Sequence, residues 1–216
     1  MKNDLIEYYK ERAKEYESIY LKPERQNDLK TVTKLLQNIF ANKTLIEIAC
    51  GTGYWTESIA KTAKAMIAID INKAVLEIAE QKHYPYNNVS FKIENLYNIT
   101  NSQRYDNLFG GFIWSHIKLE ELDVFLKTVN SSVVPGATVV FMDNNFVEGS
   151  STPIKNTDEF GNTFQTRKLK DESTHVVLKN FPTENFLETK LKNIVASYEF
   201  INLTYFWLVI YKTKGN

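Results

Sequence analysis

"TLIEIACGTGYWTESIA", residues 44–60, sets a strand-length apolar run against a glycine turn and then a helical pattern, and its reading decides the fold. A buried strand that feeds a helix through Gly51 and Gly53 is the opening unit of a doubly wound sheet, in which ligands sit beyond the carboxyl ends of the strands. The glycines permit positive φ and let backbone approach a ligand closely. Thr56 stands where the dinucleotide fingerprint G-x-G-x-x-G has its third glycine, so that fingerprint fails. Glu47, inside the strand end, would repel a pyrophosphate and favours a cation.

The same alternation continues on both sides. "AMIAID" (65–70), "VSFKIE" (89–94), "NLFGGFIW" (107–114) and "PGATVVFMD" (135–143) read as further strands. Between them lie helical patterns over Thr52 to Thr62, through Ala74, Leu76, Ile78 and Ala79, and through Leu119, Leu122, Leu126 and Val129. Five strands separated by helices imply a parallel sheet covered on both faces. Upstream, Leu5, Tyr9, Tyr16 and Tyr20 recur at helical spacing, and Leu29, Val32, Leu35, Leu36 and Ile39 mark a second helix after Pro23.

After Asn144 the rhythm breaks. "NTFQTRKL" and "THVVLK" flank the polar "KDES", which predicts an inserted β-hairpin. Thr183 is placed to N-cap a helix through Phe186, Leu187 and Leu191. Two closing strands near 194–200 and 203–212 are too close in sequence for a helical crossover and should pair antiparallel. The expected fold class is therefore α/β: a Rossmann-like, doubly wound, seven-stranded sheet, mostly parallel with an antiparallel C-terminal strand, plus N-terminal helices and an inserted β-hairpin. We expect one domain over 1–216, with a helical cap at 1–41 and a lid-like insert at 144–182.

With 26 basic and 26 acidic residues the formal net charge is zero, which disfavours a nucleic-acid footprint or an anionic membrane surface as partner. The single cysteine, Cys50, excludes an intramolecular disulfide and a cysteine-cluster metal site; we expect no metal and a cytoplasmic location. The N-terminus lacks the apolar run of a signal peptide. "YFWLVIY" (205–211) is far short of the ~20 residues of a spanning helix and reads as a buried strand.

"LIEIACGTG", Asp70, "ENL" (94–96) and "VPGATVVFMD" (134–143), in that order, resemble the successive motifs of class I S-adenosylmethionine-dependent methyltransferases, and "TDEFGNTFQTRKL" with "VLKNFPTENFL" is similar to small bacterial members. The resemblance implies S-adenosylmethionine as cofactor. It implies that Gly51 and Gly53, with Ala49 and Thr52 in the same loop, approach the aminoacyl and ribose portions, and that Asp70, beside Ile71, holds the ribose hydroxyls. Asn95 and Leu96 would frame the adenine, and Glu47 would orient the methionine end. Most members have aspartate where Asn95 stands.

Trp55 could line the cofactor pocket or pack in the core; Ser115 could touch the cofactor. His116, in "GFIWSHI" (111–117), is the candidate base because an unperturbed imidazole titrates near neutrality. Tyr16, Tyr20, Trp114 and Asn144 are candidate acceptor contacts, and Arg167, Lys168 and Lys170 could recruit an acidic acceptor or be merely solvated. The expected reaction is methyl transfer to an oxygen or nitrogen of a small molecule, by a monomer or homodimer. The alternatives are an RNA- or protein-directed methyltransferase, a nicotinamide-dependent oxidoreductase, and a non-catalytic cofactor-binding module.

Overall fold

A computed structural model describes residues 3–99 and 104–215, and side chains from residue 6 onward. Met1, Lys2 and the Leu5 side chain, part of the N-terminal reading, lie outside the described residues.

The main sheet is built from β1 (Thr44–Ile48), β2 (Ala65–Asp70), β3 (Val89–Ile93), β4 (Tyr105–Gly111), β5 (Val133–Asn144), β9 (Val195–Asn202) and β10 (Phe206–Thr213). Its order is β3-β2-β1-β4-β5-β10-β9. Strands β1 to β5 pair in parallel, and β10 lies antiparallel between β5 and β9. The chain winds outward from β1 to β3 and then returns to β4 on the other side. The order reverses between β1 and β4, and a cleft opens there at their carboxyl ends.

Successive residues of a strand face opposite sides, and the core divides accordingly. Ile46, Ile48, Trp207 and Val209 belong to one apolar layer, completed by α5 (Leu122–Ser132) and α6 (Glu184–Leu191). Leu45, Phe206 and Leu208 belong to the other, against α2 (Gln26–Phe40) and α3 (Tyr54–Ala60). Helix α2 buries Leu29, Val32, Leu36 and Phe40, one stripe of an amphipathic helix. Thr183 caps α6 as the sequence predicts, its Oγ1 accepting the Phe186 N–H at 3.2 Å.

Three boundaries differ from the sequence reading. The N-terminal segment is not one helix: α1 (Asn3–Arg12) passes into a 3₁₀ stretch over Ala13–Leu21, whose tighter winding re-aims the tyrosine side chains. The fourth strand stops at Gly111 and does not run to Trp114, because Phe112 adopts φ of 59° and its N–H turns to the Met142 carbonyl at 2.7 Å. The expected hairpin is present as β7 (Thr163–Lys168) and β8 (Thr174–Leu178), and the short β6 (Asn156–Thr157) extends it to three strands. This second sheet packs on the N-terminal helix through Tyr8, Leu169 and Val177.

Candidate functional site

The first cavity, about 100 Å³, opens over the carboxyl ends of β1, β2 and β4. The glycine loop forms its floor. Gly51 has φ of +57° and a Cβ there would meet nothing within 4 Å, so its open side faces the cavity. Gly53, at φ +77°, is different: a Cβ would stand 2.9 Å from the Ala79 Cβ and 2.9 Å from the Tyr84 hydroxyl. Its lack of a side chain lets α3 start against α4 (Lys73–Glu80). Ala49 (φ 52°) and Phe112 (φ 59°) are non-glycine residues in the left-handed region, and both line the cavity. Backbone strain of this kind costs on the order of 1–3 kcal/mol per residue and gathers at functional sites.

Asp70 organises the loop. Its Oδ2 accepts the Gly51 N–H at 2.9 Å and its Oδ1 accepts the Asn72 N–H at 2.8 Å, while burial raises its pKa against these bonds. Asn95 follows β3, and its Oδ1 accepts the Tyr97 N–H at 3.0 Å, fixing the turn that presents the buried Leu96. Glu94 also lines the cavity, and no lysine or arginine does among the described residues.

Of the residues singled out from sequence, Ala49, Gly51, Thr52, Asp70, Ile71, Asn95 and Leu96 all line this cavity. Glu47, Gly53, Trp55 and Ser115 do not. Trp55 packs in the core beside Tyr20 and Phe112. Ser115 is fully buried, its Oγ accepting a bond from Lys179 Nζ at 2.7 Å. Glu47 lies behind the loop at 2% exposure, where its Oε2 accepts the Thr56 hydroxyl at 2.6 Å. Thr56, which replaces the third glycine of the dinucleotide fingerprint, thus holds the acid.

Burial pushes the Glu47 pKa up to about 8, against the Thr56 bond. A folded-state pKa above the unfolded value of ~4.5 gives stability that is full below pH ~4.5 and is lost as pH rises to about 8. Urea unfolding of the protein and of Glu47→Gln should therefore diverge with pH. The variant is expected to gain on the parent by a few kcal/mol, in order of magnitude, between pH ~4.5 and ~8. Parallel pH profiles would refute the raised pKa.

A second cavity, about 480 Å³, lies above the first. Tyr9, Tyr16, Phe112 and His116 line both, so the two share a wall. Of the expected acceptor contacts, Tyr16 and Asn144 line it. Tyr20 and Trp114 do not: Tyr20 stacks on Tyr54 at 3.7 Å, and Trp114 is enclosed by Phe125, Phe141 and Trp207. His116 is buried with both ring nitrogens engaged. Nδ1 donates to the Leu178 carbonyl at 2.6 Å, which leaves Nε2 to accept the Tyr9 hydroxyl at 2.8 Å. Burial, with Lys179 and Arg167 nearby, holds the imidazole well below its usual pKa, and burial raises the Tyr9 hydroxyl.

Beneath His116 runs a buried ion pair that sequence reasoning did not find. Lys179 Nζ stands 2.6 Å from Asp143 Oδ1, and the same carboxylate accepts the Ser115 N–H at 3.0 Å and the Asn144 N–H at 2.8 Å. Arg12 and Arg25, also unforeseen, line the second cavity with Arg167, Lys168 and Lys170. Cys50 is buried, lines neither cavity, and has its thiol pKa raised by that burial. Among the described residues no helix is long and apolar enough to cross a membrane, and no cluster of acidic, histidine or cysteine residues is gathered to hold a metal.

Residues 45–136 match a family described as "Methyltransferase domain". Over 69 residues, 32% of this chain, the sequence is 36% identical to ribosomal RNA small subunit methyltransferase A of Mesomycoplasma hyopneumoniae (strain 232). That alignment spans 26% of the relative's length. Among solved structures, DhpI in complex with SAH superposes over 100% of both chains with a TM-score of 0.80 at 23% identity. DhpI with SAM and HEP gives a TM-score of 0.76 at 22% identity, over 98% of this chain and 99% of that one. The N-methyltransferase NodS of Bradyrhizobium japonicum WM9, bound to S-adenosyl-L-homocysteine, gives 0.68 at 13% identity over 98% and 99% of the chains. At these identities the structural likenesses establish the fold.

Proposed function

We propose that this protein is a class I, S-adenosylmethionine-dependent methyltransferase that transfers the methyl group to an oxygen or nitrogen of a small molecule held in the second cavity, a reading supported by the match of residues 45–136 to a methyltransferase domain. The carrying observation is the pair of adjoining cavities, with Tyr9, Tyr16, Phe112 and His116 as their common wall. A donor in the first cavity and an acceptor in the second would meet across that wall, and holding the pair in line while excluding water is most of what a methyl displacement requires.

The donor's place is framed by Asp70 for a ribose diol, by Asn95 and Leu96 for an adenine, and by Gly51 for close backbone approach. The cofactor supplies an electrophilic methyl on a sulfonium. Thr52 ties this loop to the N-terminal cap, its Oγ1 donating to Glu17 Oε1 at 2.7 Å. In this reading the cap at 1–41 and the insert at 144–182 enclose the acceptor. A base role for His116 would require the Tyr9 hydroxyl to leave Nε2 first.

Aromatic lining in a chain of no net charge supports a small acceptor over an RNA: Tyr8, Tyr9 and Tyr16 from the cap and Gln165, Arg167 and Leu169 from the insert line the second, partly open cavity. Titration calorimetry with S-adenosylhomocysteine is expected to give one site with affinity in about the micromolar range. Absence of binding would overturn the reading. Binding, combined with methyl transfer from labelled cofactor to ribosomal RNA but to no small acceptor, would move the acceptor class to RNA.

A further inference from the structure

The two cavities carry opposite charge. Asp70 and Glu94 line the first, without a lysine or arginine among the described residues. Seven basic side chains line the second: Arg12, Lys22, Arg25, Arg167, Lys168, Lys170 and Lys179. Glu15 is the acid beside them. In a chain with no net charge, that concentration needs a reason.

The lysines have one. Lys22, Lys168, Lys170 and Lys179 each stand within 4 Å of a carboxylate: Glu24, Glu172, Glu15 and Asp143 respectively. The arginines do not, among the described residues. Arg25 is compensated at second hand, through Ser150, which accepts from its Nη2 at 2.9 Å and donates to Glu24 at 2.9 Å. Arg12 and Arg167 have neutral partners only. Arg12 Nη1 donates to the Tyr8 hydroxyl at 2.8 Å, and Arg167 Nη2 donates to Gln165 Oε1 at 2.8 Å. Their guanidinium carbons lie 5.6 Å and 5.8 Å from the centre of the same Tyr8 ring. Two like charges flank one aromatic ring, partly buried under the insert, each with N–H donors to spare. Such an arrangement is unfavourable until an anion enters, because desolvated charges without a counter-charge repel one another.

We propose that the acceptor is a small molecule bearing an oxyanion, of the carboxylate or phosphate class, gripped by Arg12 and Arg167. Planar guanidinium groups bind both kinds of group through paired, charge-assisted bonds. The proposal rests on the methyltransferase reading and adds the chemical class of its acceptor. It also agrees with the groups at the shared wall, where a poorly basic His116 and a Tyr9 hydroxyl that keeps its proton offer little base strength. An acceptor oxygen that arrives already charged needs no base.

The test is calorimetric titration of the protein saturated with S-adenosylhomocysteine, using inorganic phosphate in one arm and succinate in the other. Binding of either is expected, and the arm that binds tells phosphate from carboxylate. Arg12→Met and Arg167→Met should each weaken that binding about tenfold or more while leaving S-adenosylhomocysteine affinity unchanged, which also shows that the variants fold. Lys127→Met, exposed on α5 and outside both cavities, should change little. If S-adenosylhomocysteine binds and neither anion does, the anion proposal alone falls. It falls too if Lys127→Met weakens anion binding as much as Arg167→Met, since binding is then only a general effect of surface charge. If S-adenosylhomocysteine fails to bind, the methyltransferase reading falls and this one with it.

Discussion

Replacing Asp143 by alanine is expected to destabilise the protein by about 3–5 kcal/mol, because it removes one partner of a buried ion pair and leaves the other charged. Asp143 is fully buried and Lys179 is 4% exposed, so water cannot take over. The Asp143 carboxylate accepts from Lys179 Nζ, from the Ser115 N–H and from the Asn144 N–H, and its loss orphans two backbone donors and leaves the ammonium with the Ser115 hydroxyl but no counter-charge. For a chain of this size each kcal/mol shifts Tm by roughly 2–4 °C, so a fall of about 6–20 °C should appear in a calorimetric scan. Lys179→Met alone should cost a similar amount. The Asp143→Leu, Lys179→Met double variant should cost much less than the sum, since apolar replacement of both partners removes the uncompensated charge. Additive, small losses would show that the pair is solvated and does not hold the insert to β5.

That pair also marks where sequence reading ends. Asp143 lies one residue before the end of β5 and Lys179 directly follows β8, the third strand of the insert; nothing in either segment announces the other. The three arginines of the second cavity come likewise from α1, the turn before α2, and β7, and only tertiary packing brings them together. By contrast the sheet was legible, because parallel strands buried on both faces leave continuous apolar runs such as "TLIEI" and "AMIAID". The placing of Asp70 and Asn95 on the first cavity was legible for the same reason: both stand at the carboxyl ends of strands, over which the cleft of such a sheet opens.

Neighbours in sequence were harder to sort. Thr52 and Trp55 are three residues apart, yet the first meets the cavity and the second the core, and spacing alone does not say which side of the loop faces the ligand. The left-handed backbone of Ala49 and Phe112 had no sequence signal, because neither residue type favours it. The electrostatic argument narrows. Of the acids that the sequence sets around the loop, Glu47, Asp70 and Glu94, the first lies behind it with its pKa pushed up to about 8 by burial, and the other two stand on the cavity wall.

Asp70→Ala is expected to weaken S-adenosylhomocysteine binding by about 100-fold. One carboxylate clamps the Gly51 N–H and the Asn72 N–H, which sets both the floor of the cavity and the start of α4, while Asn72 Oδ1 caps that helix through the Ala74 N–H at 3.1 Å. Removing it loses two bonds from backbone N–H groups within the protein and, in the proposed reading, the acceptor that would be offered to a ribose diol. A 100-fold loss is about 2.7 kcal/mol and a bond to a charged group contributes ~1.5–3 kcal/mol, so losing one strong or two weak bonds from the ligand's side accounts for it. Asp70→Asn separates the two effects. A single amide oxygen can still accept from one backbone N–H but not from both sides, and its NH₂ repels the other donor, so its affinity should fall nearly as far while the shape of the side chain is kept. Calorimetry of both variants against the parent decides the matter, with unfolding scans to show how much of the loss is structural. An Asp70→Ala variant that binds S-adenosylhomocysteine as the parent does would mean that the ligand lies elsewhere. The glycine loop, Asn95 and Leu96 would then have no shared ligand to explain their convergence on one cavity.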